Sequence, residues 1–337
     1  MVTLEDIREA QARLQGVAVR TPLFQFQLDE AGDGGARRKL FLKLENLQPI
    51  GAFKIRGAYN KIASLPVKER ERGVITYSSG NHGQGVAYAA RALGVKAVVV
   101  MPKASPAIKR DAVAALGADI VLVGPSSLER QHRAEELAQK NGYFIVPPFN
   151  DEQIIAGQGT IGLEILEDLP DVETVLVPVG GGGMISGVAT AIRLSKPSVN
   201  VIGVEPELAA DAQASLRDGK IVQKPAEEVS ETIADGLRTQ SVGPINFEHI
   251  RMYVDEIVTV SEAEIREAVR RLATNPKTLA EPSGAVTVAA FLFRKDQLPR
   301  TDINVALLSG GNIEPKTLQE IQRETSGRLL QNEPMKT

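Results

Sequence analysis

Short, largely apolar runs alternate along most of the chain with longer stretches whose apolar positions recur every three or four residues. Side chains repeat on one face with a period of 2 in a strand and 3.6 in a helix, so the short runs predict strands and the long ones amphipathic helices. Strands are expected at 39–44, 74–77, 97–101, 120–123, 144–146, 174–179, 200–204 and 304–308. Helices are expected between them at 54–62, 81–93, 107–116, 128–140, 159–167, 184–194, 262–273 and 284–293. Ahead of these, Thr3 with Asp6 forms a capping pattern that opens a helix reaching about Leu14. The polar segment after Arg323 predicts a frayed end.

Strands that are apolar throughout and separated by helices predict parallel sheets covered on both faces. The expected fold class is therefore α/β and two-lobed, with twisted parallel sheets flanked by helices. A length of 337 residues, 43% of them hydrophobic, supplies two cores. No internal repeat, heptad or low-complexity block interrupts the rhythm.

Charge and composition remove several classes of partner. A formal charge of -3 and a pI near 5.8, with no basic run, leave no footprint for nucleic acid or an anionic membrane. No apolar run is long enough to span a bilayer, and the acidic start does not read as a signal peptide. The absence of cysteine excludes disulfides, thiolate nucleophiles and zinc-thiolate sites, and suits a reducing, cytoplasmic location. Three histidines, His82, His132 and His249, fall in different elements, which argues against a histidine-rich metal centre.

Candidate chemistry collects where strands give way to helices, the place where parallel sheets gather ligands. GAFKIRGA at 51–58 sets Lys54 at such a junction; apolar Phe53 and Ile55 and the cation Arg56 would lower its pKa and make it a carbonyl-reactive amine. Taken alone, that window fits a solvated helix start as well. SSGNHGQG at 78–85 offers hydroxyls and free N–H groups to a carboxylate or phosphate, although a capping serine with turn glycines also accounts for it. Gly180, Gly181, Gly182 and Gly183, followed by Met184, form a run of flexible backbone suited to a nest of N–H donors around a phosphate. The run matches neither GxGxxG nor the Walker pattern, so dinucleotide and nucleoside-triphosphate readings lose ground. SGGN at 309–312 ends the last strand with a hydroxyl beside glycines.

In this order the four motifs resemble the pyridoxal-phosphate (PLP) enzymes of the tryptophan-synthase-β-like fold, and within them the serine/threonine dehydratases and serine racemase. The resemblance runs from about Leu14 to Asn312 and includes TPL from Thr21, AGQGT from Ala156, ETIADG from Glu231 and EPSGA from Glu281. It implies a large PLP-binding domain made of 1–64 and 150–330, with a small domain, 65–149, inserted in it. It also implies roles. Lys54 would hold PLP as an imine and remove the substrate α-proton; Phe53 would pack near the ring and Asn81 would bond the ring hydroxyl. Gly180, Gly181, Gly182, Gly183 and Met184 would hold the phosphate. Ser309 would face the pyridine nitrogen, where a hydroxyl in place of a carboxylate favours loss of a β-substituent over transamination. Ser78, Ser79, Asn81 and His82 would form the substrate-carboxylate loop, with Arg130 closing on it. Ser79, opposite Lys54, would be a second proton carrier, which leaves racemisation open beside its plain reading as a capping serine.

The same resemblance places a divalent cation, Mg2+, Mn2+ or Ca2+, on Glu205, the Ala209 carbonyl and Asp211, an oxygen set suited to a hard ion. The implied reaction is dehydration of L-threonine or L-serine to 2-oxobutanoate or pyruvate plus ammonia, the leaving hydroxyl being protonated by the cofactor phosphate. Serine racemase, or a hydroxyaspartate dehydratase or racemase, is the alternative, and a PLP- or amino-acid-binding module without turnover the remote one. A homodimer is implied. Ala52 stands where many relatives carry serine, and Leu116 where animal serine racemases carry a tyrosine near a nucleotide site, so ATP activation is not expected. Neither is isoleucine feedback, for want of a regulatory domain.

Overall fold

The structure is a computed structural model that describes residues 1–27, 38–78, 80–105, 107–124 and 127–324. The polar end expected to fray lies, from residue 325 onward, outside the described residues. Its elements are, in order, α1 (Leu4–Arg13), β1 (Leu23–Phe26), β2 (Lys39–Leu44), α2 (Lys54–Ser64), α3 (Val67–Arg70), β3 (Val74–Thr76), α4 (Asn81–Ala92) and β4 (Ala97–Pro102). There follow α5 (Ala107–Ala115), β5 (Asp119–Val123), α6 (Ser127–Asn141), β6 (Phe144–Ile145), α7 (Glu152–Asp168), β7 (Thr174–Pro178), α8 (Gly183–Ser195) and β8 (Asn200–Pro206). The chain continues with α9 (Asp211–Asp218), α10 (Ala226–Ser230), α11 (Pro244–Tyr253), β9 (Glu256–Val260), α12 (Glu262–Leu272), α13 (Pro282–Phe293), β10 (Ile303–Leu308) and α14 (Pro315–Arg323).

Two sheets result. A six-stranded sheet has the order β1-β2-β10-β7-β8-β9, and a four-stranded sheet the order β5-β4-β3-β6. β2 lies parallel to β10, with Leu40 opposite Asn304 and Leu44 opposite Leu308, so an early and a late segment close one sheet. Everything in the four-stranded sheet comes from the segment between them, and its pairings are all parallel. The expected strands pair in parallel; the one antiparallel pairing is at an edge, where β1, which is not among the expected strands, lies against β2 with Leu23 opposite Lys43. β1 is only half-buried, as an antiparallel edge strand tolerates.

Alternation along the strands divides the core. Leu40, Leu42, Leu44, Ile202 and Val204 pack with α12 and α13 on one face of the large sheet. Val175, Val177, Val201, Val305 and Leu307 pack with α7 and α8 on the other. In the small sheet Val74, Val99 and Met101 meet α4 and also Ala58 and Ile62 of α2, which places α2 against that sheet. β9 and α11 have no counterpart among the expected elements. β9 alternates a half-exposed Thr259 with buried Val258 and Val260 at an edge of the large sheet.

α7 corrects the sequence reading most usefully. It begins at Glu152, seven residues ahead of the expected start at 159, because Asp151 caps it by accepting from the backbone N–H of Gln153 at 2.8 Å and Ile154 at 3.1 Å. Gly157 and Gly159, which fall in the AGQGT motif, are contact points inside this helix. A Cβ on Gly157 would lie 2.7 Å from the Gly57 Cα of α2, and one on Gly187 of α8 would lie 2.5 Å from the Gly159 nitrogen. α7 therefore packs backbone-close against α2 and α8, the two helices whose N-termini carry Lys54 and the glycine run.

Candidate active site

The first and last motifs meet across the top of the large sheet. Ala52 bridges Gly310, the Phe53 N–H donates to the Ser309 carbonyl at 3.0 Å, and the Gly311 N–H donates to the Gly51 carbonyl at 2.9 Å. Phe53 is the cap residue and Lys54 the first residue of α2, so the amine leaves the helix at its start. Lys54 Nζ donates to the Pro148 carbonyl at 2.7 Å and stands 5.1 Å from the Phe53 ring centre. Among the described residues no carboxylate pairs with it. Burial pushes its pKa down to about 8. The cation expected to assist, Arg56, contributes by another route: its guanidinium turns into Glu45 and Glu164, whose charges balance it.

α4 brings the second motif to the same place. Asn81 Nδ2 donates to Glu281 Oε1 at 2.6 Å, and Asn81 Oδ1 accepts from Asn312 Nδ2 at 2.8 Å, which fixes the orientation of its amide. Burial, and then the charge of Asp235, push the Glu281 carboxyl up to about 7. His82 is buried with Nε2 3.1 Å from the Val146 carbonyl and, among the described residues, with no partner on Nδ1. Burial and then the nearby Lys54 charge push its pKa down to about 3, so the ring stays neutral. Ser78 Oγ accepts from the Gly80 N–H at 3.4 Å, and the turn needs Gly83 because a Cβ there would lie 2.3 Å from the Ser78 carbonyl. Ser309 is buried, and among the described residues its hydroxyl reaches only the Ser283 carbonyl at 3.5 Å, which leaves the O–H available to a stronger acceptor.

The glycine run leads into α8. Gly182 has φ +90, a left-handed conformation that suits glycine, and Gly183 is the first helical residue. Side chains are excluded from the run by close neighbours: a Cβ on Gly181 would lie 2.3 Å from the Phe149 ring, one on Gly182 2.9 Å from Asn246 Cβ, and one on Gly180 3.3 Å from Leu237 Cα. Met184 is buried in the core below. The unbonded N–H groups of the first turn of α8, together with the bare backbone ahead of it, make a seat for an anion.

These groups fit PLP. An amine without a counter-ion meets the aldehyde, backbone amides meet the phosphate, and Asn81 and Ser309 offer polar atoms for the ring hydroxyl and ring nitrogen. The carboxylates at the end of β8 fit a cation. Glu205 accepts from the N–H groups of Ala212 at 3.0 Å and Gln213 at 2.8 Å, while both oxygens of Asp211 are buried and, among the described residues, have no well-formed hydrogen bond, the backbone N–H groups of Asp211 and Val242 being their polar neighbours. Burial, with Asp211 beside it, pushes Glu205 well up, and burial pushes Asp211 up to about 7. Two buried carboxylates side by side are costly unless a cation joins them. Ala209 ends the single turn between them, Glu207–Ala209. Among the described residues no cluster of three or more His, Cys, Asp or Glu side chains forms, so a third ligand would be a carbonyl.

Arg130 lies on α6, half-buried, with burial lowering its pKa. Ser79 falls outside the described residues. Sequence reading missed Pro148, Phe149, Glu281 and Asn246 as parts of this centre. Glu281 was within reach, since it opens the EPSGA motif; the other three carry no local signal.

Residues 14–310 match the family model described as pyridoxal-phosphate dependent enzyme. The chain is 48% identical over 324 residues to an L-threonine ammonia-lyase of Thermotoga maritima, covering 95% of this chain and 78% of that one. It is 40% identical over 321 residues to the catabolic L-threonine dehydratase TdcB of Escherichia coli, covering 95% and 96%. Among solved structures it resembles maize serine racemase with a TM-score of 0.87 and 35% identity, covering 95% of this chain and 96% of that one.

Proposed function

The chain belongs to the family of pyridoxal-phosphate dependent enzymes, and on that footing we propose that it is a threonine ammonia-lyase that also accepts serine. The observation that carries the reading is the half-buried Lys54 amine, bonded among the described residues to the Pro148 carbonyl and lowered in pKa to about 8. When bound, PLP supplies the aldehyde that takes up an amino group and the ring that accepts the electron pair left by the α-proton.

The chain's own groups do the rest. Lys54 Nζ holds the cofactor and, once free, takes the α-proton, for which a pKa near the working pH is well matched. Gly180 to Gly183 and Met184 hold the phosphate by backbone N–H, and Asn81, fixed by Asn312 and Glu281, bonds the ring hydroxyl. The Ser309 hydroxyl, which makes only a long contact to the Ser283 carbonyl, would donate to the ring nitrogen, and a hydroxyl there in place of a carboxylate suits loss of a β-substituent. Ser78, Ser79, Asn81, His82 and Arg130 receive the substrate carboxylate, with His82 kept neutral by burial. The released enamine then hydrolyses to 2-oxobutanoate, or to pyruvate from serine, and ammonia.

Glu205, the Ala209 carbonyl and Asp211 would hold Mg2+, Mn2+ or Ca2+, which neutralises the buried carboxylates and braces α9. Residues 1–64 and 150–330 would form the cofactor lobe and 65–149 the lobe that covers it. The working form is taken as a cytoplasmic homodimer, in line with a chain free of cysteine.

Likeness to maize serine racemase favours racemisation as the second reading. Purified protein given L-threonine and L-serine, with oxo acid and product chirality followed together, separates the two. Oxo acid at a rate above serine inversion supports the lyase; inversion without oxo acid replaces it by the racemase, and an absent imine absorbance removes both.

A further inference from the structure

Two residues beyond Lys54, a set of charges lies wholly inside the protein. Lys43, Glu45, Arg56 and Glu164 are at most 6% exposed. Arg56 uses every face of its guanidinium: Nε donates to Glu45 Oε2 at 2.8 Å, one terminal nitrogen donates to Glu164 Oε1 at 2.7 Å and Thr160 Oγ1 at 3.0 Å, and the other donates to Glu45 Oε1 at 2.8 Å and Glu164 Oε2 at 2.9 Å. Lys43 Nζ completes the set on Glu164 Oε2 at 2.6 Å and the Thr21 carbonyl at 2.6 Å. Two cations balance two carboxylates. Burial pushes Glu45 up, but the Arg56 guanidinium outweighs it and holds the carboxyl below its ordinary value.

The placement of this set gives it a use. Arg56 sits in the first turn of the helix that starts at Lys54, and its partners Thr160 and Glu164 sit on α7, the helix that touches the phosphate-seat helix α8 through Gly159 and Gly187. Glu45 follows β2 directly. The guanidinium thus ties the amine-bearing helix end to the element that fixes the glycine run. A planar fork with paired bonds sets both distance and angle, which a lysine in its place could not do.

We infer that Arg56 is a positioning residue that sets the separation between the Lys54 amine and the glycine seat through Glu164 and Thr160. This rests on the reading that Lys54 holds PLP and the seat its phosphate. Errors of about 1 Å in such a spacing cost on the order of a hundredfold in rate. They also weaken a ligand held at both ends.

Two variants test it. Arg56→Lys keeps the charge and loses the fork, while Thr160→Val removes one arm and leaves all four charges paired, so it is the milder change for folding. Apo protein is titrated with PLP by absorbance, borohydride-reduced protein is mapped by mass spectrometry, and kcat and KM are measured with L-threonine. Expected is an adduct still on Lys54, a PLP Kd raised at least ~10-fold in Arg56→Lys and ~3-fold in Thr160→Val, and a parallel loss of kcat with KM within ~3-fold. Folded variants with the wild-type Kd and kcat, even with a lowered Tm, would overturn the inference, as would failure of both to fold, since the set would then serve the fold alone. Wild-type protein without an adduct on Lys54 would instead remove the cofactor reading beneath it.

Discussion

Lys54 and Pro148 stand 2.7 Å apart, amine to carbonyl, although 94 residues separate them in the chain. A neutral acceptor holds the amine in place without the counter-charge that would fix it as an ammonium. Phe149, the next residue, closes on the glycine run, and Val146 bonds His82, so one short segment aligns three parts of the site.

Replacing Lys54 by alanine should lower oxo-acid formation from L-threonine by at least ~1000-fold, because nucleophile and base are removed together. The borohydride adduct should vanish from the peptide map while far-UV circular dichroism stays as in the wild type. Retention of turnover would mean that another group does the chemistry.

Capture of PLP by the apo protein should rise with pH through about 8, as the Lys54 amine loses its proton. The initial rate of growth of imine absorbance across that range measures it. A midpoint near the ordinary lysine value would contradict the effect of burial.

Acid should destabilise the protein through His82. Its folded pKa is about 3 against an ordinary value of 6.5, so between those values the unfolded chain binds a proton that the folded one does not. Stability therefore falls as pH drops through that window. Urea midpoints measured across it should decline less steeply in His82→Gln than in the wild type.

Gly181→Ala should weaken PLP binding at least ~10-fold, about 1.4 kcal/mol, because the new methyl would lie 2.3 Å from the Phe149 ring and push it or the seat aside. Adding Phe149→Ala should recover part of the affinity in an absorbance titration. No recovery would show that the methyl obstructs the anion itself.

Millimolar Mg2+ or Ca2+ should raise the Tm of the wild type, since an ion bound only by the folded state stabilises it. Asp211→Asn should lose that response and should itself melt close to the wild type without metal, as one of two adjacent buried charges is gone. Equal responses in both proteins would move the cation elsewhere.

The sequence by itself determined the strand and helix rhythm, the capping of α1, the two-sheet α/β plan and the residues most exposed to chemical reading. Lys54, the glycine run and SSGNHGQG announce themselves because their signals are local: a lysine at a strand–helix junction, and backbone with no side chains where a helix begins. Tertiary structure alone decided what surrounds them. Asn81 owes its orientation to Glu281, 200 residues away, and to Asn312, 231 away. Arg56, which reads as a cation acting on Lys54, is neutralised by Glu45 and Glu164, and the glycines of α7, whose spacing in sequence does not say what they face, are the points where neighbouring helices touch. Periodicity and propensity act over a turn or two of chain, whereas burial, charge balance and close approach depend on which distant segments the sheets bring together.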